Sequence, residues 1–404
     1  MSGWRHQLPV YSPLSPTALL AGASALTGAA RSPLVTDPAL ALIRERYAPR
    51  AALLTDSGTT ALTAALLGVV RRRPGAAAAL PAFACYDVAT AADGADVPVL
   101  LYDVDPHALT PDLAQLRGAL RQGAAAIVVV HHYGYPVDLT EVNGLAEEAG
   151  AIVIEDAAQA VGATIRGRPA GTQASLAVLS FGRGKGVTGG GGGALLANDE
   201  AGAAIVEDVR ELLDEAGPAL PQLVALAAQL LLARPALYAV PVALPFLRLG
   251  HTIYREPRRL RAPTAVSGAV LAATWAEAER ESEVRRRNAE ALVRVVRQHP
   301  AFVSICVRED TRPGYLRLPV LVSPGARLAA SMPKARRLGV MPSYPKALCD
   351  LAGFGTRCRN LGMAFNGARL LAARLCTLPT HSRLAALDLT RLADWIRAAG
   401  GDAP

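Results

Sequence analysis

At 404 residues, 51% hydrophobic and 19% charged with no long polar tract, the chain is too long for one small domain and too apolar for disorder; it reads as a large α/β unit with a smaller partner. Its formal charge of +8 is dispersed as arginines along helix-like segments, and the short clusters at Arg71 to Arg73 and Arg285 to Arg287 read as solvated helix ends; with no interleaved aromatics for base stacking, this argues against a nucleic-acid face. Five cysteines, Cys85, Cys306, Cys349, Cys358 and Cys376, form no CxxC pair, so neither a disulfide framework nor a metal site is expected, and a reducing cytoplasm fits best.

Taken in chain order, the N-terminus carries Arg5 and His6 before proline-containing sequence, and its apolar stretch, Leu19 to Ala30, comes late and alanine-rich, unlike a signal peptide. Residues 51 to 200 alternate as βα units. The runs "AALLT", "AAAIVVVHH" and "AIVIED" read as buried parallel strands. A mostly parallel sheet places ligands at the carboxyl ends of its strands, which singles out Asp56, Asp156 and Lys185. Ala216 to Ala233 has no charge, and "PALYAVPVALPFL" continues apolar to Leu247, a length that reaches the roughly 18 residues of a membrane span. Pro218, Pro221, Gln222, Gln229, Pro235, Pro241 and Pro245 are poor for a lipid-facing helix, so a buried or subunit-packed helix is expected, with a membrane-surface hairpin as the alternative. Trp275 to Val296 predicts a long exposed helix, and "GYLRLPVLV", "RRLGVMPSYP" and the C-terminal amphipathic stretch predict a small α+β domain. The boundaries expected are 1–260 for the large domain, with an apolar insertion at about 216–247, and 261–404 for the small one including the bridging helix.

Three segments carry chemistry. "TDSGTTAL", from Thr55, gives a strand end, a small-residue turn and a helix start, which suits either a phosphate or an ordinary cap. Glu155 and Asp156 close an apolar strand, as a cation ligand or a cap. "SFGRGKGVTGGGGGALLAND" sets Lys185 in a glycine-rich loop between strand-like runs. A Walker loop would need Ser or Thr after the lysine, where Gly186 stands, and a dinucleotide fingerprint would place the glycines before a helix; what remains is a Schiff-base lysine beside a flat cofactor. His131 and His132, adjacent on a strand, point to opposite faces and read as packed, as does His381.

In this order the motifs resemble the DegT/StrS sugar aminotransferases, a family of fold-type I, pyridoxal 5'-phosphate (PLP) enzymes. The family's "NSGTxAL" is similar to Asp56 to Leu62, its "VIEDAAQA" to Val153 to Ala160 and its "SFxxxK" to Ser180 to Lys185; "PAFACYD", "PVLLYDVDP", "VHHYGYPVD" and "LPTH" resemble further family segments. The resemblance implies an aspartate-aminotransferase-like large domain and a catalytic pair, Lys185 as Schiff-base lysine and proton shuttle and Asp156 on the pyridine nitrogen. It also implies Gln159 near the ring's phenolic oxygen and Gly58, Thr59 and Ser180 on the phosphate. Where the family stacks an aromatic on the ring, the spacing falls on Cys85 while stacking chemistry favours the adjacent Tyr86. The asparagine that family members lend across the subunit interface has no clear match; Thr252 or Tyr254 stands nearest. By the same resemblance the chain is expected to be a homodimeric, cytoplasmic aminotransferase, acting on a nucleotide-linked keto sugar with an amino acid donor such as glutamate. The alternatives are elimination or dehydration on the same fold, which Lys185 disfavours because family dehydratases carry histidine there, or a non-catalytic PLP-binding regulator. Peripheral membrane contact is the alternative to a wholly soluble protein.

Overall fold

The computed structural model describes residues 6–26, 37–242 and 252–399. Helices α1 (Pro16–Leu26) and α2 (Pro38–Tyr47) lead into alternating strands and helices: β1 (Ala51–Thr55), α3 (Gly58–Arg72), β2 (Ala77–Pro81), α4 (Tyr86–Gly94), β3 (Val99–Tyr102), α5 (Leu113–Arg121), β4 (Ala124–Val130), α6 (Thr140–Ala149) and β5 (Ile152–Asp156). After the short β6 (Thr164–Ile165) and β7 (Arg168–Pro169) come β8 (Leu176–Ser180), β9 (Gly193–Ala197) and α7 (Glu200–Arg210). Seven strands form one sheet in the order β3-β2-β4-β5-β8-β9-β1, in which only β9 runs against its neighbours. This is the mostly parallel α/β sheet the sequence predicts. Every residue of β2, β3, β4, β8 and β9 is buried, which is why these strands read as unbroken apolar runs.

The apolar stretch after α7 is two helices, α8 (Leu220–Leu232) and α9 (Pro235–Val242), separated just before Pro235, which cannot continue a helix from within. Among the described residues no helix is long and apolar enough to cross a membrane. Nor is α8 buried in the chain: of its residues only Leu226 is, while Leu220, Val224 and Leu231 are each at least 60% exposed. Residues 243–247 of this stretch lie outside the described ones.

Helix α10 (Ala265–Val296) starts ten residues before the charged pattern that predicts it, because Thr264 caps it with Oγ1 accepting from Ser267 N–H at 3.2 Å, and Val266, Val270 and Leu271 pack inward. It is not an exposed helix. Arg285 and Arg286 lie buried along it, which corrects their reading as a solvated end. The C-terminal half comprises β10 (Phe302–Ser304), β11 (Thr311–Arg312), β12 (Leu318–Val322), α11 (Pro324–Ser331), α12 (Pro333–Arg337), β13 (Met341–Pro342), α13 (Asn366–Arg374), β14 (Leu375–Leu378) and α14 (Ala386–Ala398). Its antiparallel sheet, β10-β12-β14-β13, is the expected α+β unit; β11 instead pairs with β6, tying this half to the large sheet's connections.

Candidate active site

The carboxyl ends of β5 and β8, the turn from β1 into α3 and the start of α4 meet at one cavity, lined by Gly58, Thr59, Cys85, Asp156, Gln159, Ser180 and Lys185 together with Asp87 and apolar neighbours. Thus the structure brings seven of the eight residues expected at the site together. Tyr86 is the exception. Cys85 occupies the cap position of α4, and the next helical residue turns away by a helix step: the Tyr86 hydroxyl accepts from Lys346 N–H at 3.0 Å and donates to the Lys346 carbonyl at 3.4 Å.

Strand alternation separates the two acids at the end of β5. Glu155 is fully buried and accepts from the N–H groups of Gly171 at 2.5 Å and Gln173 at 2.9 Å and from His131 Nε2 at 2.7 Å. Val137 N–H donates to His131 Nδ1 at 3.0 Å, so the imidazole proton sits on Nε2. Burial by itself would raise the Glu155 carboxyl, but the His131, Gly171 and Gln173 contacts outweigh it and hold the group below its ordinary range. This is a structural acid. Asp156 faces the cavity instead, with Oδ1 accepting from Ala158 N–H at 3.0 Å; burial raises its carboxyl in spite of Lys185 and that N–H. A buried carboxylate at the mouth of a sheet calls for a cationic partner.

At the turn after β1 the cap falls on Ser57 and leaves its neighbours to line the cavity. Ser57 caps α3, its Oγ accepting from Thr60 N–H at 3.1 Å, and Thr60 Oγ1 in turn donates to Asp56. Gly58 and Thr59 are left lining the cavity at the helix N-terminus, where backbone N–H groups favour an anion. A Cβ at Gly58 would stand 2.6 Å from the Ser180 Cβ, so only glycine lets the helix start and the end of β8 close on the same spot.

Gln159 is held at both ends: its Oε1 accepts from Tyr133 N–H at 2.9 Å and its Nε2 donates to the Tyr344 hydroxyl at 3.0 Å. Tyr133 adopts a left-handed backbone (φ 56°), stacks on Tyr344 with ring centroids 5.9 Å apart, and hydrogen-bonds Ser343. Sequence reasoning passed over this tyrosine pair and Asp87; the tyrosine and glycine inside "VHHYGYPVD" were the available signal for Tyr133. Cys85 Sγ donates to Asp87 Oδ2 at 3.7 Å, and burial pushes its thiol up to about 12, so it faces the cavity as a neutral thiol, not a nucleophile. His132, with burial holding it down to about 3, is a neutral packing residue against Phe83.

Residues 43–216 match the DegT/DnrJ/EryC1/StrS aminotransferase family. A GDP-perosamine synthase of Caulobacter vibrioides is 35% identical over 149 residues, 37% of this chain and 40% of that enzyme, so the chain aligns with well under two thirds of this curated relative's length. Among solved structures, a DegT DnrJ EryC1 StrS aminotransferase from Brucella abortus superimposes over 96% of both chains with a TM-score of 0.75 at 21% identity. An E. coli GDP-4-keto-6-deoxy-D-mannose-3-dehydratase with bound hydrated PLP covers 97% of this chain and 99% of its own, with a TM-score of 0.74 at 16% identity. The fold is thus that of both an aminotransferase and a dehydratase, and the chemistry has to be argued from the site.

Proposed function

We propose that this chain, whose residues 43–216 match the DegT/DnrJ/EryC1/StrS aminotransferase family, is a PLP-dependent aminotransferase that turns a keto group into an amine. Its substrate in this reading is a nucleotide-linked keto sugar, and its donor an amino acid such as glutamate. The observation that carries the proposal is the convergence of Lys185, Asp156 and the α3 N-terminus with Ser180 on one cavity. That donor set fits the cofactor: an amine for its aldehyde, a carboxylate for its ring nitrogen, and N–H and hydroxyl donors for its phosphate. When bound, PLP supplies the electron sink that lets a Cα–H bond break.

The protein's own groups do the rest. Lys185 Nζ would hold the cofactor through its aldehyde carbon and, once the donor's amine has displaced it there, would be the free amine that takes the donor's Cα proton. Asp156, kept from water, would keep a proton on the ring nitrogen. Gly58, Thr59 and Ser180 would anchor the phosphate, Cys85 would offer its neutral thiol to the ring, and Gln159, fixed by Tyr133 and Tyr344, would serve the ring's phenolic oxygen. Lys185, where family dehydratases carry histidine, favours amine transfer over dehydration.

Two measurements test this. Nitrogen-labelled glutamate should pass its label to a nucleotide-linked keto sugar, and borohydride should fix PLP to Lys185 in the parent and to no residue in Lys185→Ala, which should be inactive. Fixation on either of the other two lysines, Lys334 or Lys346, would remove Lys185 from the mechanism. A homodimer, supported by the exposed apolar helices rather than by the site, and a cytoplasmic location complete the proposal.

A further inference from the structure

Residues 6–15 run without helix or strand between the two halves of the molecule. Donors from α10 and the C-terminal unit hold their carbonyls: Arg285 Nη2 donates to the Tyr11 carbonyl at 2.7 Å, His381 Nε2 to that of Leu8 at 2.8 Å, and Arg317 Nη1 to that of Pro9. Arg285, Arg317 and His381 are all buried. Arg383 adds a bond to the Tyr11 hydroxyl at 2.9 Å and lies over the Tyr11 ring, 4.6 Å from its centroid. The segment is therefore a strap fixed along one edge.

Its other edge hydrogen-bonds the loop between β8 and β9 through the Ser12 side chain. Ser12 Oγ accepts from Gly184 N–H at 3.1 Å and donates to the Lys185 carbonyl at 2.8 Å, across more than 170 residues of sequence. Ser12 is 5% exposed, so neither bond is readily replaced by water. The hydroxyl thus grips the backbone on both sides of the Lys185 Cα. Gly184 has φ +80°, a left-handed backbone that favours glycine, and lies against the Val10 side chain of the strap. A lysine side chain is a flexible stem whose ammonium can be no better placed than the backbone that carries it.

We infer that Ser12 is a positioning residue for Lys185: it transmits the hold of Arg285, Arg317 and His381 on the strap to the loop and sets the direction from which Nζ enters the cavity. This rests on Lys185 being the cofactor-bearing lysine, and the strap's hold on the loop can be read without the cofactor. In the cofactor-free full chain, Ser12→Ala should speed hydrogen exchange of the amides of residues 182–188 by at least about tenfold while those of β5 keep the parent's protection. In the loaded protein the same variant should displace the pH midpoint of the visible absorbance, which a role confined to packing would leave in place. Loop exchange equal to the parent's, or rising in step with that of β5, overturns the inference, as does an unmoved midpoint. Borohydride mapping of the parent keeps the two readings apart: fixation on another lysine sinks the catalytic assignment, whereas the exchange data alone decide whether Ser12 holds the loop.

Discussion

Asp156 and Glu155 are neighbours with opposite electrostatics, and the contrast yields a prediction at the residue scale. Burial holds the Asp156 carboxyl above its ordinary range. An acid whose folded pKa exceeds its unfolded one contributes stability below the unfolded value and loses it as pH rises through the folded one. Cofactor-free Asp156→Asn should therefore melt higher than the parent at neutral pH, with the gap closing in acid, where the parent is protonated too. With cofactor bound the same change should slow the donor's Cα proton transfer on the order of 100-fold while leaving the phosphate end in place. Melting curves at both pH values and single-turnover rates check the two halves. A variant no more stable than the parent at neutral pH would contradict the reading of Asp156 as a carboxylate waiting for a cation. Cys85 and Tyr86 give a second test: Cys85→Ala should weaken PLP binding by about two- to tenfold through the lost sulfur–ring contact. Tyr86→Phe should leave binding unchanged and instead lower stability by about 1 kcal/mol, since its hydroxyl serves Lys346. The opposite pattern, measured by absorbance titration and denaturant melts, would return the ring face to Tyr86.

Among the elements, α3 is the one on whose placement the proposed phosphate site depends. Gly58→Ala would put a methyl carbon 2.6 Å from the Ser180 Cβ, and neither the strand end nor the first turn of the helix can yield without opening the anion site. PLP affinity should fall by about tenfold, the scale of one anion at a helix N-terminus, whereas pyridoxal, which lacks the phosphate, should bind both proteins alike. Loss of both equally would mean that the variant disturbs the cavity as a whole. These elements were legible to different degrees for physical reasons. β4 and β5 announced themselves because strands buried on both faces are continuous apolar runs. The first ten residues of α10 carry no charge to mark a solvent face, so the helix was visible only from Trp275 onward. Ser57 and Gly58 looked like either a cap or a phosphate turn because they are adjacent parts of one device: the cap that starts the helix leaves its first N–H groups facing the cavity. The strap at Ser12 and the Tyr133–Tyr344 pair were illegible, since both depend on contacts between residues some 170 to 210 positions apart.

For the whole molecule, the decisive feature is the face built by α1, α8 and α9. Leu20, Leu220, Val224, Leu231, Leu237 and Val242 are all exposed on these helices, and no charged residue occurs in α1 or α8. Scattered exposed apolar residues need no explanation, but six on three neighbouring apolar helices exceed what a monomer ordinarily leaves wet. Covering six such side chains at roughly 1.5–3 kcal/mol each, discounted by half for their partial exposure, is worth on the order of 5–10 kcal/mol per protomer. Doubled across a two-fold interface, this is comparable to or larger than the estimated cost of association, about 4–15 kcal/mol. A second copy of the chain, related by two-fold symmetry, is therefore the expected cover. Light scattering at micromolar concentration should give twice the monomer mass, and Val224→Glu with Leu231→Glu should give a folded monomer, because both positions already tolerate water in the single chain. A parent that is monomeric by scattering yet sediments with anionic lipid vesicles, and loses that sedimentation in the double variant, would assign the face to a membrane surface instead. That outcome would also rewrite the expected location, since among the described residues no helix is long and apolar enough to span a bilayer and α8 and α9 would then lie in its interface.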